Sequence, residues 1–148
     1  MRPFTLALAL LVLAMTAGTT TRADDRPPRL VLVVHAENKT GRLDKTTLRN
    51  IYLGLTTYWS NDTRIKPYNR IHDGAAGRLF FRDVLGMTPG RYRYTWQRQQ
   101  LSGQGVEPEV VGTAASLVAK VAANPGAIGY LLESEADGVD SRVRLIPL

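Results

Sequence analysis

The stretch Thr113 to Leu132, TAASLVAKVAANPGAIGYLL, holds a helix and a strand with only a turn between them. Leu117, Val118, Val121 and Ala122 fall on one face of a helix that Thr113 can cap. Asn124-Pro125-Gly126 ends it, because proline cannot continue the helical ladder and glycine accepts the turn. The chain then enters Ala127 to Leu132, AIGYLL, an apolar run with the length of a strand covered on both faces. A helix delivered straight into a buried strand predicts an α/β layer structure.

Outward from this unit, Leu30 to Val34, LVLVV, is a second strand of the same kind, and His35 to Gly41, HAENKTG, is the loop that leaves it. Asp44 can cap a helix on which Leu48, Ile51, Tyr52 and Leu55 share a face, with Leu43 as its hydrophobic staple and Gly54 as its stop. The loop Tyr58 to Asp62 leads to an extended piece from Ile65 to Tyr68, where Pro67 predicts a sheet edge. A helix is expected from about Ala75 to Leu85, stopped by Gly86, and Pro89 opens another that carries Tyr92, Trp96 and Gln100. SGQGVEP reads as a loop, and Val143 to Ile146 as a last extended piece. The expected fold is a small mixed sheet flanked by helices, in a single domain over residues 24–148.

The first 23 residues read as a signal peptide. Arg2 supplies the positive start, Leu6 to Ala14 the apolar run, and Thr21-Arg22-Ala23 the small residues before a cleavage site at Asp24. The apolar run is too short to span a bilayer. With no cysteine in the chain there is neither a disulfide framework nor a lipid-modified cysteine, so the expected product is free and periplasmic. The formal charge of +6 falls to +4 without Arg2 and Arg22, 17 basic residues against 13 acidic. Such a surplus favours anionic partners, and export argues against nucleic acid among them.

Catalysis is hard to build from this inventory. His35 and His72 are the only histidines, and His35, at the end of a strand, reads as structural. Ser60, Ser102, Ser116, Ser134 and Ser141 stand in no nucleophile motif, and no zinc, calcium or phosphate-loop signature is present. No catalytic residue, metal site or cofactor is therefore predicted. In Arg91 to Arg98, RYRYTWQR, Tyr92 and Trp96 share one helical face and the arginines another, which is amphipathic packing rather than a nucleic-acid surface.

Anion binding needs less. Arg70 to Arg78, RIHDGAAGR, places small residues where a loop becomes a helix, with an arginine on each side. Bare backbone N–H groups at a helix start, with an arginine closing from the side, are the parts of an oxyanion site. Arg70 and Arg78 would supply charge, Gly74 to Gly77 the amides, and Asp73 a cap or an arginine partner. In the alternative reading Asp73 caps the helix and both arginines are solvated.

Three stretches, in order, resemble the substrate-binding proteins of bacterial phosphate ABC transporters: Thr47 to Trp59 (TLRNIYLGLTTYW), Asn69 to Phe81 (NRIHDGAAGRLFF) and Val121 to Glu133 (VAANPGAIGYLLE). The resemblance runs from about Leu30 to the C-terminus. It implies one lobe of a type 2 periplasmic-binding fold, without most of the family's other lobe. It also implies phosphate or another small oxyanion as ligand, and an inner-membrane ABC permease or an envelope sensor as partner.

The family's aspartate and glycine correspond to Asp73 and Gly74, so its helix-opening S-G-T falls on Ala75, Ala76 and Gly77. Both hydroxyls are missing, and Arg70 lies one position from the family's arginine. Each lost hydrogen bond to a charged ligand removes about 1.5 to 3 kcal/mol, so weak binding is expected. Asn38 and Thr40, in the loop after the first strand, are expected to face this site. Ala75→Ser with Gly77→Thr would restore the hydroxyls. The competing expectation is an envelope interaction or sensory module docking through Tyr58, Trp59, Tyr92 and Trp96.

Overall fold

A computed structural model describes residues 26–148, and the expected signal peptide at 1–23 lies outside them. Five strands form one sheet: β1 (Leu30–His35), β2 (Lys66–Arg70), β3 (Glu109–Val111), β4 (Ala127–Leu132) and β5 (Val143–Pro147), in the order β3-β2-β4-β1-β5. β2 runs parallel to both β3 and β4, whereas β1 is antiparallel to β4 and β5. This is the mixed sheet expected from the sequence.

Alternation along the strands divides the core into two layers. Leu30, Leu32 and Val34 of β1, with Ile128 and Tyr130 of β4, face α1 (Lys45–Tyr52), α2 (Ala75–Phe80) and α3 (Pro89–Leu101). Val33 of β1 and Leu131 of β4 face the other way, onto Leu117, Val118, Val121 and Ala122 of α4 (Ala114–Ala122). Both core strands are therefore covered on each side, which is why they read as unbroken apolar runs.

The helix starts follow the sequence closely. Asp44, Thr88 and Thr113 are N-caps whose side chains accept hydrogen bonds from the N–H groups of Thr47, Arg91 and Ser116, and Pro89 opens α3. Tyr92 and Trp96 are buried while Arg91 and Arg98 stay outside. Leu43 packs on the core cluster to which Leu48, Ile51 and Tyr52 of α1 belong.

Several expectations need correction. Leu55 lies beyond the end of α1 at Tyr52 and is 71% exposed, so it belongs to no helix face. The expected helix over 75–85 is an α-helix only to Phe80, and Phe81–Leu85 continue it as a π-helical turn that ends at Gly86 with φ 60°. β2 is internal rather than an edge. Pro67 is tolerated because the β3 ladder begins only at Tyr68, leaving the proline paired on one side, opposite Ile128. β3 itself was not expected, since three residues carry no readable period.

Candidate functional site

The connection from β3 to β4 passes through α4 and over β2, so the carboxyl ends of β2, β3 and β4 lie side by side. A crevice at such strand ends, where the direction of winding changes, is where open α/β sheets take their ligands. Here it holds a small cavity of about 250 Å³. Arg70 from the end of β2, Gly112 just after β3, Leu132 at the end of β4 with Glu135 beyond it, and Asp73 to Gly77 at the start of α2 line it.

A buried hydrogen-bond chain anchors the end of β2 that carries Arg70. The Tyr130 hydroxyl donates to Asn69 Oδ1 (2.7 Å) and accepts from the Arg70 backbone N–H (3.1 Å). Asn69 Nδ2 donates to the Tyr92 hydroxyl (3.2 Å), which donates to the Tyr52 carbonyl (3.0 Å). Burial holds the Tyr130 hydroxyl well above its ordinary pKa, so it remains a donor. Strand β2 is thereby tied to β4, α3 and α1 at the residue before Arg70.

Arg70 is 9% exposed and forms a bidentate pair with Glu135, Nη1 to Oε2 at 3.0 Å and Nη2 to Oε1 at 3.1 Å. Glu135 Oε2 also accepts from the Leu132 N–H at 3.0 Å. Burial alone would raise the Glu135 pKa; the hydrogen bonds from Arg70 and Leu132 and the charge of Arg70 outweigh it and hold the carboxyl below its ordinary range. Arg70 Nε is buried and has no hydrogen-bond partner among the described residues.

The start of α2 is uncapped by any side chain. Gly74 is the N-cap and offers none, so the first-turn amides of Ala75, Ala76 and Gly77 have no side-chain acceptor there. The expectation that Asp73 caps this helix is therefore corrected. The Asp73 carbonyl instead accepts from Arg78 Nη1. Gly77 is required by close approach: a Cβ there would overlap the Ile71 carbonyl oxygen and sit 2.9 Å from both Cα and O of His72.

The structure thus gathers Arg70, Asp73, Gly74, Ala75, Ala76 and Gly77 around one cavity. It leaves Arg78 exposed outside that lining, facing a broader hollow shared with His72, Ala75 and Thr88. Asn38 and Thr40 are displaced more decisively. Val34 pairs with Ile128 and His35 with Val143, so the loop after β1 emerges at the amino ends of β2 and β4. That is the opposite end of the sheet from Arg70, about 13 Å or more along β2 at ~3.3 Å per residue. There Arg144 donates to the Asn38 carbonyl (2.7 Å) and to the Thr40 carbonyl, and the Thr40 N–H donates to Asn38 Oδ1 (2.9 Å). The expectation that this loop faces the Arg70 site is corrected by strand direction.

The aromatic docking surface is also absent. Trp59, Tyr92 and Trp96 are buried, Trp59 Nε1 donating to the Gly126 carbonyl (3.1 Å) and Trp96 Nε1 to the Tyr52 carbonyl (3.2 Å); only Tyr58 is exposed. Sequence reasoning missed Glu135 and Gly112. Neither stands in a motif, and Glu135 meets Arg70 across 65 residues of chain.

His72, next to the loop, packs on the rings of Phe81 (centroids 4.7 Å) and Tyr92 (6.1 Å), and its buried Nε2 has no partner among the described residues. Burial lowers its pKa below the ordinary 6.5, Arg93 acting in the same sense and Glu107 and Asp73 against it. As pH falls below 6.5 the unfolded chain takes up this proton before the folded one does. The His72 contribution to stability is therefore complete above that pH and is lost as pH drops toward the folded value. Denaturation curves at pH 7.5 and 5.5 should show the wild type losing stability and His72→Phe losing less. Equal losses would mean that His72 is not the responsible group. Glu135, also lowered, acts in a separate window beginning near 4.5.

The fold of the described residues is similar to that of a portion of solved phosphate transport receptors. In particular, the chain is similar to PstS from Borrelia burgdorferi, with a TM-score of 0.63 and 16% identity over 81% of this chain and 47% of that one. It is similar to an ABC-type phosphate transport receptor from Vibrio cholerae, with a TM-score of 0.52 and 21% identity over 80% and 45% of the two chains. A Clostridium perfringens structure described as a phosphate ABC transporter substrate-binding protein, with phosphate bound, aligns at a TM-score of 0.58 and 23% identity over 80% and 44%. The chain spans less than half the length of each. No protein-family model matches the chain, and no curated protein matches it.

Proposed function

We propose that this chain is an exported, non-enzymatic receptor domain that binds phosphate or a similar small oxyanion weakly at the carboxyl ends of β2, β3 and β4. The carrying observation is Arg70: a nearly buried guanidinium lining a cavity, with Nε unpartnered and the uncapped first turn of α2 on the cavity's wall. Arg70 supplies the charge, the amides of Ala75, Ala76 and Gly77 the directional donors, and Asp73 with Gly74 the loop that presents them. The similarity to phosphate transport receptors supports this ligand class.

Binding is weak in this reading because Ala75 and Gly77 carry no hydroxyl and Arg70 is already engaged by Glu135. The leader-like residues 1–23 support export to the periplasm. No helix of the described residues is long and apolar enough to cross a membrane. The partner that fits an exported anion receptor is an inner-membrane ABC permease or an envelope sensor.

Calorimetric titration of the purified chain with phosphate, sulfate and arsenate tests this. Heat is expected at millimolar anion, and Arg70→Met should weaken binding at least tenfold, about 1.4 kcal/mol. A folded wild type that gives no heat at millimolar anion would end the proposal.

A further inference from the structure

We infer that Glu135 is a built-in competitor for the anion at Arg70, and that it restricts the cavity to doubly charged oxyanions. This rests on the anion-binding reading of the same cavity. The fork between the two side chains occupies both terminal nitrogens of Arg70. The partners are unequally held. Arg70 sits at the end of β2 with its backbone N–H bonded to Tyr130, and its side chain is 11% exposed. Glu135 ends a short 3₁₀ turn after β4, Glu133–Glu135, and its side chain is 28% exposed. Glu135 is the more exposed partner and Arg70 the more buried one, so in this inference the carboxylate is the group that an incoming anion displaces.

What replaces Glu135 must do more than match it. A tethered carboxylate competes at an effective concentration of order millimolar or higher, without any new contact. A free monoanionic carboxylate offers the same two oxygens and the same charge, and so loses to the tethered group. A tetrahedral dianion brings a second charge and further oxygens for the amides of Ala75 to Gly77, which the fork leaves unused. Asp73 lines the same cavity and penalises any anion that makes too few of these contacts.

Glu135→Gln separates the charge from the shape. Glutamine has the same length, and its amide oxygen can still accept the Leu132 N–H that Glu135 holds. It cannot neutralise Arg70. Wild type and Glu135→Gln should be titrated by NMR with sulfate, whose charge is constant near neutral pH, and with acetate. Sulfate is expected to bind the variant at least tenfold more tightly, and acetate to become detectable only in the variant. Wild-type sulfate binding with an unchanged or weakened variant overturns the competitor role and leaves the anion site standing. If both proteins are folded and neither takes sulfate or phosphate, the anion site itself fails and this inference with it. Should glutamine disturb the turn, Glu135→Asp, which withdraws the fork by one methylene, must still tighten sulfate binding; no gain there also overturns the role.

Discussion

Replacing Gly77 by threonine, the change that the resemblance of its motif to phosphate-binding proteins suggests, should lower stability by about 3 kcal/mol or more and leave anion affinity no better. The reason is geometric. A Cβ at this position overlaps the carbonyl oxygen of Ile71 and lies 2.9 Å from His72 Cα and O, so the obstacle is backbone. Overpacking ordinarily costs ~1–3 kcal/mol, and a side chain can often turn aside; a main-chain carbonyl two residues before the loop cannot. To make room, Ile71 and His72 would have to move, and Arg70 is the preceding residue. For a domain of this size the loss corresponds to a fall in Tm of about 10 °C. Calorimetric melting of wild type and Gly77→Thr measures it; a fall of under about 3 °C would show that the loop yields. Ala75, exposed at the first position of the same helix, is the place where a hydroxyl can be added without this cost.

The second large effect is expected from Phe80→Ala. Phe80 has no exposed surface, stacks on Tyr130 with centroids 3.9 Å apart and planes 5° from parallel, and meets Tyr52 edge-on at 4.6 Å. Truncating a buried phenylalanine costs ~3–5 kcal/mol through lost transfer energy and the cavity left behind. The loss is not confined to packing. Tyr130 is the ring that carries the hydroxyl between Asn69 and the Arg70 N–H, so its partner on the opposite face helps to hold Arg70 at the cavity. Chemical denaturation should give the stability change, and a residual loss below about 1 kcal/mol would mean that the core closes over the gap. Anion titration of the folded variant should show weaker binding than wild type, because Arg70 loses its anchorage.

Much of the architecture was legible because it is local. The caps Asp44 and Thr113, the proline at the start of α3 and the apolar spacing of α4 each act within one or two turns of the residues that they organise. The runs LVLVV and AIGYLL announce strands covered on both faces because helices pack on each side of them. β3 was not legible: three residues are too few to show a period, and pairing with β2 is what makes them a strand. The π-helical turn at Phe81–Leu85 was hidden for a similar reason. Its apolar residues suit a continued helix as well as a widened one, and they pack into the core beside α1.

For the candidate site, the sequence by itself determined the loop. Small residues from Gly74 to Gly77 preceded by Arg70 mark a helix start beside a cation, and the structure shows that Asp73 leaves that start uncapped. Only the tertiary structure decided what meets that loop. The parallel course of β2 and β4 brings Glu135 onto Arg70, and the antiparallel course of β1 carries Asn38 and Thr40 to the far end of the sheet. The parallel course of β2, β3 and β4 is made by the helical crossovers between them, α2 with α3 and then α4. No residue near Arg70 in the chain encodes it.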